Sequence, residues 1–372
     1  MPSSHKNARF RSRLSFTNNK TKILDKVVLL IDSNANGAAW IRVNLWKKGL
    51  DQKKINNEII FFSKSKSTNL LTKFLFYIVQ VIRLSLMSKS TCFIVYFPLR
   101  GFILKLLKKK YFIIEQNEFP IYLRNAQTEF TENYSYHSFA RKFISCSDEL
   151  MTFFKNKLSS NCKTLKVSSV VDFDMFSKSN LKSPFSNKKH IVYCGYMGNN
   201  KDGVEDLISA FSLFAQKNKS VNLCLIGTAS QKEMIKFKNL IKKNSISDRV
   251  LITGKLPHKD IPSYLLNAEL LVLARPNNKQ AQGGFPSKLA EYLSSGTPVL
   301  VTKVGEIPHY IKDSVNGYLT DPSNPEMFAE KLHFILKNYS KAKIVGKEGQ
   351  FLAKNEFDLK VQSGRLVNFL KT

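Results

Sequence analysis

Cysteine is scarce in this sequence, and the cysteines that occur form no recognisable motif. The 372 residues include five cysteines, which are Cys92, Cys146, Cys162, Cys194 and Cys224. None pairs with another in a C-x-x-C, which argues against a cysteine-based zinc or redox site. The six histidines are scattered and offer no H-E-x-x-H pattern. We therefore expect no metal site and no cofactor, and small buried thiols in a reducing, cytoplasmic compartment.

Acidic residues are also scarce in this sequence. The chain has 28 Asp and Glu residues against 58 Lys and Arg residues, which gives a formal net charge of +30. Such a charge calls for an anionic partner, and the candidates are nucleic acid, an anionic membrane surface and a phosphorylated substrate. No RRM, KH or zinc-finger pattern is present, so a basic nucleic-acid-binding protein is a remote alternative.

Long apolar runs are also few. Residues 1–22 are basic and acid-free without an apolar core, so we expect a flexible basic tail and no secretion signal. The one extended apolar stretch, residues 70–87, is near the lower length limit of a membrane span and contains Lys73, Gln80 and Arg83. We expect a helix there that is buried or faces a membrane. The next helical pattern, residues 99–109, has a lysine face that is either solvated or in contact with anionic lipid.

Strand and helix patterns alternate along the chain. Residues 26–62 have the pattern of strand, helix and strand, and residues 190–319 alternate strictly with short loops. This alternation predicts parallel sheets covered by helices on both sides, an α/β fold. We expect a strand at 166–171, a polar linker at 177–189 and a last strand at 316–319.

The most informative segment is residues 283–300, GGFPSKLAEYLSSGTPVL. Pro286 suits the first turn of a helix and Gly296 suits its end, so the segment predicts a glycine loop, a short helix and a buried strand. A loop that leads into a helix N-terminus binds anions, and Glu291 could accept hydrogen bonds from the vicinal hydroxyls of a ribose. The pattern indicates a nucleotide-sugar pocket. Its expected donor-binding residues are Gly283, Gly284, Phe285, Pro286, Ser287, Lys288 and Glu291.

This segment resembles the donor-site motif of the retaining glycosyltransferases of family 4, the group 1 glycosyl transferases. That motif has two Glu residues separated by seven others; Glu291 matches the second, and the first falls at Gly283. The match is to the subset with F-P-S-K-L-x-E-Y-L in this helix. The resemblance implies the GT-B fold, in which two Rossmann-like domains face each other across a cleft and a C-terminal helix returns to the first domain. The implied divisions are an acceptor domain at 23–176, a donor domain at 190–340 and C-terminal helices at 341–372.

Other segments of the second half resemble the donor-binding elements of this family in the expected order. Gly195, Tyr196 and Lys201 fall in its G-R-x…K-G element, where Lys201 takes a diphosphate-binding position and Tyr196 replaces an Arg. A cation there stabilises the charge that develops on the leaving diphosphate. Arg275 or Lys288 could supply the cation that is missing at Tyr196.

The resemblance also implies roles for single residues elsewhere. Gly227 allows close approach of a ligand at a strand end, and His258 lies in the loop expected beside the nucleotide base. Carboxylates at the carboxyl end of a parallel strand suit a ligand site, so the acceptor is expected at Asn34, Asn36, Gly37, Glu115 and Glu118. The expected catalytic residues are Glu118, Lys201 and Arg275. Enzymes of this family generally act without a divalent metal, so none is expected here.

The resemblance implies a retaining, metal-independent hexosyltransferase. Its donor would be a nucleotide diphosphate sugar, and its acceptor a glycan or a lipid-linked saccharide in surface polysaccharide biosynthesis. The basic charge and the apolar helices of the first half favour a peripheral position at the cytoplasmic, anionic face of a membrane. The alternatives are a catalytically inactive relative and another GT-B enzyme such as an epimerase.

Overall fold

The computed structural model describes residues 25–31, 37–61, 70–96, 103–119, 134–176, 183–185 and 188–372. The strands of the first half are β1 (Lys26–Ile31), β2 (Asn57–Phe61), β3 (Thr91–Val95), β4 (Phe112–Gln116), β5 (Lys142–Ser145) and β6 (Lys163–Lys166). Those of the second half are β7 (Lys189–Cys194), β8 (Val221–Ile226), β9 (Val250–Gly254), β10 (Leu270–Leu273), β11 (Val299–Thr302) and β12 (Tyr318–Thr320).

These strands form two parallel sheets of six strands each, which confirms the predicted α/β fold. The order is β2-β1-β3-β4-β5-β6 in the first sheet and β12-β11-β10-β7-β8-β9 in the second. Central strands are buried on both faces, which is why β1 and β10 are continuous apolar runs and do not alternate. In each sheet the carboxyl ends of the strands meet at one edge, where α/β proteins place ligands.

Helices cover both faces of each sheet. The first half contains α1 (Ala38–Gln52), α2 (Leu70–Leu86) and α3 (Asp148–Lys155). The second half contains α4 (Val204–Lys217), α5 (Gln231–Lys243), α6 (Ile261–Leu266), α7 (Lys279–Gln282), α8 (Ser287–Ser295), α9 (Ile307–Tyr310) and α10 (Pro325–Lys337). The chain ends with α11 (Tyr339–Glu356) and α12 (Leu359–Lys371).

The last helix packs against the first sheet. Leu366 and Phe369 of α12 share a buried cluster with Val43 and Trp46 of α1. The Lys142 ammonium of β5 donates to the Leu370 carbonyl oxygen over 3.0 Å. This arrangement confirms the C-terminal helix that the GT-B resemblance implied; the domain boundaries themselves stay a prediction.

Two predicted strands differ from the structure, the first because of a backbone contact with the C-terminal segment and the second because of a local side-chain contact. The strand expected at 166–171 ends at Lys166. Beyond it, the Val171 backbone pairs with the C-terminal segment, through Val171 N–H to Phe357 O at 2.9 Å and Leu359 N–H to Val171 O at 2.8 Å. The last strand begins at Tyr318, because the Asn316 side chain holds a turn by accepting from Lys312 N at 2.8 Å.

The apolar stretch of the first half forms α2, whose Gln80 and Leu84 are buried against the sheet. Within the part of the chain that the structure describes, none of the helices combines the length and the apolar composition that a bilayer crossing requires. Several large apolar side chains of α2 are nevertheless exposed to solvent.

Candidate active site

The floor of the site is formed where β7, β8 and β9 end beside one another. Gly195 N–H donates to Ile226 O at 2.8 Å, and Gly227 N–H donates to Gly254 O at 2.9 Å. Gly227 has a φ of +141°, and a Cβ on it would overlap the carbonyl of Gly195. Only glycine meets both conditions, so these strand ends lie side by side with bare backbone above them.

The predicted helix of the 283–300 segment is α8, at Ser287–Ser295. Pro286 is its N-cap, and no side-chain hydrogen bond caps this end. Gly296 ends the helix with a φ of +75°, the left-handed conformation that favours glycine at this position. The predicted loop, helix and strand are therefore confirmed, and the N-terminal dipole of α8 is available to an anion.

Lys288 is held at this helix end by two buried side chains. Its ammonium forms an ion pair with Asp202, which is 3% exposed, and lies 3.2 Å from the Tyr193 hydroxyl oxygen. Tyr193 in turn donates to Asp202 Oδ2 at 2.9 Å. Burial alone would raise the pKa of Asp202, but the charges of Lys288 and Arg275 outweigh it and lower that pKa.

The Lys288 ammonium lies directly over Gly195. A Cβ on Gly195 would overlap Nζ of Lys288, so the glycine makes room for the cation. Tyr196, which stands where the family has an Arg, is 52% exposed. The helix residue Lys288 thus puts a positive charge beside the strand end at which the family places its arginine.

Arg275 lies beneath this layer, at 1% exposure. One guanidinium nitrogen donates to Ala281 O at 3.1 Å, while Nε has no hydrogen-bond partner in the structure. Burial lowers the pKa of Arg275, and the nearby Asp202 carboxylate partly offsets that effect. Arg275 therefore adds positive potential from below, and a direct contact with donor or acceptor stays a prediction.

Glu291 faces the junction of the two halves. Its Oε1 lies 3.1 Å from His258 Nε2, in a small cavity that Leu45 and Asp172 of the first half also line. The hydrogen bond to Glu291 raises the pKa of His258, although burial opposes it. The predicted ribose-binding carboxylate and the predicted base-side histidine are therefore adjacent.

Glu118 and Lys201 meet across the junction. Glu118 Oε1 lies 2.7 Å from Lys201 Nζ, and both side chains are partly exposed. The sequence predicted each of them as a separate catalytic candidate, and the structure brings them together as one ion pair between the two halves.

Phe119 explains the departure at Gly283. A Cβ on Gly283 would overlap the Phe119 ring, and the Ser147 hydroxyl donates to Gly283 O at 2.7 Å. The space that a glutamate side chain would enter is thus filled from the first half. Neither contact with Gly283 was indicated by the sequence.

Several other predicted residues have structural neighbours. The Phe285 ring packs on Tyr310 and Phe357, with ring centroids 5.3 and 5.1 Å apart. A Cβ atom placed on Gly284 would lie 3.8 Å from the Asn117 carbonyl oxygen. These residues hold the loop before α8 in place.

The predicted acceptor residues that the structure describes differ in their exposure. Glu115 is 1% exposed, pairs with Arg42, and accepts from Trp46 Nε1 at 3.1 Å. Its carboxylate is thus occupied inside the first half, because a buried charge needs a cation and hydrogen-bond donors. Gly37 is exposed and caps α1, whereas Asn34 and Asn36 lie outside the described residues.

Among the described residues, one group of side chains is close enough together to share a metal ion. It consists of Asp148, Glu306 and His309. The Lys166 ammonium already lies 2.6 Å from Asp148 Oδ2 and 3.2 Å from Glu306 Oε2. Glu306 also accepts from Asp148 N–H at 2.7 Å. The donor set is therefore already engaged in an ion-pair and hydrogen-bond network between the two halves, and a divalent cation would have to displace the Lys166 ammonium.

Comparisons with known proteins agree with this geometry. Residues 176–350 match the family model of the glycosyl transferases group 1. A 2-deoxystreptamine N-acetyl-D-glucosaminyltransferase of Niallia circulans is 24% identical over 210 residues, 55% of this chain and 52% of its own length. An uncharacterized glycosyltransferase of Methanocaldococcus jannaschii is 28% identical over 152 residues, 41% of this chain and 40% of its own length. The alignments thus span about half or less of these relatives.

The fold extends over nearly the whole chain. The crystal structure of Anabaena Alr3699/HepE in complex with UDP and glucose superposes with a TM-score of 0.70 at 16% identity, covering 93% of this chain and 99% of that one. The family match covers the half that holds Lys288 and Glu291, and the structural match covers both halves. Residues 176–350 are therefore similar to the glycosyl transferases group 1, within a chain that has the GT-B fold.

Proposed function

We propose that this chain transfers a hexosyl group from a nucleotide diphosphate sugar to a glycan or lipid-linked acceptor, with retention of configuration. The observation that carries the proposal is the arrangement at the N-terminus of α8. There Lys288 and the helix dipole supply positive charge over bare strand ends, with Glu291 one turn further along the helix. A diphosphate needs the first two features, and a ribose needs a hydroxyl acceptor such as the third.

In this mechanism the diphosphate of the donor lies beside Lys288, above Gly195 and Gly227. Positive charge fixed before the reaction stabilises the negative charge that grows on the diphosphate as the glycosidic bond breaks. Lys201 would leave Glu118 to contact the same phosphates, which frees the Glu118 carboxylate to meet the acceptor. The leaving phosphate itself would accept the proton of the acceptor hydroxyl, so the mechanism uses no protein base and no divalent metal.

We assign the donor side to residues 190–340 and the acceptor side to residues 23–176. The HepE structure was solved with UDP and glucose, which makes UDP-sugars the first donors to test. The predicted setting is surface polysaccharide synthesis at the cytoplasmic face of a membrane, and the net charge of +30 supports an anionic surface as partner.

The test is to incubate the purified chain with a panel of UDP- and GDP-hexoses and polyprenyl-diphosphate-linked saccharides, and to measure nucleoside diphosphate release. We expect release with one donor, only weak release by Glu291→Ala, and unchanged release in EDTA. NMR of the product should give the same anomeric configuration as the donor. Absence of release with every pair, or an inverted product, would contradict the proposal.

A second candidate is a donor-binding relative that does not transfer, and one observation favours it. The first Glu of the family motif is replaced by Gly283, and Phe119 fills the space of its side chain. Saturable binding of a nucleotide sugar without turnover over the whole acceptor panel would support this candidate over the first.

A further inference from the structure

The helix α2 presents its apolar side to solvent. Its buried positions are Gln80 and Leu84, whereas Ile78 and Ile82 lie about half a turn away on the opposite face. Eight large apolar side chains of α2 are exposed, and seven of them are 52–81% exposed. The eight are Leu70, Leu71, Phe74, Leu75, Ile78, Val79, Ile82 and Leu86. A surface helix of a globular protein normally has the reverse arrangement, with apolar residues facing the core.

We call these eight residues the outer face of α2. Its apolar area is larger than that of the apolar patches found on most monomeric proteins. Seven of these side chains are more than half exposed and Ile78 is 37% exposed. Together they give an apolar area of roughly 800 Å², whereas the largest patch on a typical monomer is about 300–600 Å². The positions Leu71, Leu75, Ile78, Ile82 and Leu86 recur at intervals of three and four residues. They therefore form one continuous stripe along the helix.

The chain around this face is predominantly basic, and the acids near it are Glu58, which pairs with Arg83 of α2, and Asp25, which accepts from the Ser88 hydroxyl beyond the helix end. Between Glu58 and Glu115 the sequence has no Asp or Glu, and it has ten Lys and Arg residues. Among these, Lys73 on α2 and Lys89 just beyond its end are exposed. The segment that carries the apolar stripe thus contributes positive charge and no acid over 56 consecutive residues.

The loop before β4 extends this basic surface at the C-terminal end of α2. Lys109 Nζ donates to Ser85 O at 3.2 Å, which fastens the loop to the last turn of the helix. Lys105, Lys108 and Lys110 are exposed on the same short segment, and Leu106 is 65% exposed between them. The end of the helix is therefore both apolar and cationic.

We propose that the outer face of α2 docks in the plane of an anionic lipid bilayer, with its apolar stripe among the acyl chains and the lysines at the phosphate level. Lysine and arginine beside an interfacial helix bind anionic headgroups, and the apolar face contributes buried area. The helix has 17 residues, or about 26 Å at 1.5 Å per residue, so it lies along the surface and does not cross a core about 30 Å thick. A second copy of this chain is the weaker occupant, because two predominantly basic faces repel each other.

This docking deepens the proposed function without depending on it. The helix α2 follows β2, so it begins on the carboxyl-edge side of the first sheet. Glu118, just past β4 at that edge, pairs with Lys201 of the candidate site. A membrane under α2 would bring a lipid-linked acceptor to that edge. Vesicle binding is measured without donor or acceptor, and nucleotide binding is measured without lipid. A negative result in one measurement therefore does not contradict the other proposal.

The test is flotation of the full chain with phosphatidylcholine vesicles that contain or lack phosphatidylglycerol, at low and raised salt. The double variant Ile78→Asp/Ile82→Asp places charge in the centre of the stripe. The matched control is Ile344→Asp, because Ile344 is an exposed apolar residue of α11, far along the chain from α2 and 65% exposed. Thermal unfolding and nucleotide titration on each variant establish that it is folded.

We expect wild type and Ile344→Asp to bind phosphatidylglycerol vesicles and to bind less as salt rises. Binding of the double variant should fall at least about tenfold, since a carboxylate among acyl chains is strongly unfavourable. A single Ile78→Trp variant should show blue-shifted fluorescence on anionic vesicles, unlike Ile344→Trp. No binding by wild type at low salt, or equal binding by the double variant, would overturn the proposal. So would a wild-type dimer that the double variant dissociates in the absence of lipid binding.

Discussion

Replacing Lys288 should weaken the binding of a nucleoside diphosphate more than that of the corresponding nucleoside. Lys288 is the cation that the structure places at the N-terminus of α8, over Gly195. A hydrogen bond between charged groups contributes about 1.5–3 kcal/mol, so its loss corresponds to roughly 10- to 150-fold weaker binding. The nucleoside lacks the phosphates that contact this cation, and its affinity should change little.

The variant has to be chosen so that the buried partner is not left alone. Lys288→Met alone would strand the Asp202 carboxylate, which is 3% exposed, and breaking a buried ion pair from one side costs about 3–5 kcal/mol of stability. The double variant Lys288→Met/Asp202→Asn removes both charges and should unfold closer to wild type in urea. It should still bind the diphosphate weakly, because the cation is gone.

Isothermal titration calorimetry measures this effect, with the diphosphate, monophosphate and nucleoside of the base that wild type binds. The matched control is Lys303→Met, which removes a lysine from a solvent-exposed pair in which Nζ lies 3.1 Å from Asp321 Oδ1. Its affinity should equal that of wild type. Diphosphate binding by the folded double variant as tight as that of wild type would refute the role of Lys288.

Three further predictions concern the junction, a histidine and the thiols. Gly283→Ala should lower the free energy of unfolding by about 1–3 kcal/mol, because the new methyl group overlaps Phe119. A double-mutant cycle with Phe119→Ala, measured by urea unfolding, should show coupling between the two sites, and additive effects would contradict the contact. His258 has a raised pKa in the folded chain, so its bond to Glu291 stabilises the fold at pH below about 6.5 and less so as pH rises through the raised pKa. His258→Gln should lower the free energy of unfolding by under about 1 kcal/mol, because the His258 side chain is 43% exposed. The difference in melting temperature between wild type and this variant should shrink as pH rises, and a difference that grows with pH would contradict the prediction. Burial raises the pKa of Cys92 and Cys224 to about 12, so these two thiols should react with a disulfide reagent only after unfolding. Rapid labelling of either residue in the native chain, located by mass spectrometry, would contradict this.

The fold was largely predictable because its signals are local. A parallel sheet buried on both faces requires apolar runs, and those runs mark β1, β8 and β10 directly in the sequence. The bounds of α8 follow from Pro286 at its start and Gly296 at its end, since each residue suits one backbone conformation. Where the strand expected at 166–171 was wrong, the cause is a contact with Phe357, nearly 190 residues further along the chain.

The site was less predictable because its key contacts join distant residues. Lys288 and Asp202 are 86 positions apart, and nothing near Asp202 in the sequence indicates that it holds a lysine. Glu115 had the right position at a strand end for a ligand, but Arg42 and Trp46 on α1 occupy its oxygens. Only the folded arrangement of α1 against β4 distinguishes such a buried carboxylate from an available one.

The faces of α2 illustrate a third kind of limit. Residues 70–86 are apolar on nearly every side, so the sequence period cannot say which side meets the core. The structure places Gln80 and Leu84 inwards and leaves the stripe of Leu and Ile outwards. That choice is set by how the helix packs against the first sheet.

The most direct test of the account is calorimetric titration of wild type and Glu291→Ala with UDP, GDP, UDP-glucose and GDP-mannose. The account predicts saturable binding of one diphosphate and its sugar, and weaker binding by Glu291→Ala, because the ribose hydroxyls lose their acceptor. No binding of any of the four by the folded chain would contradict the claim that the N-terminus of α8 is a nucleotide-sugar site.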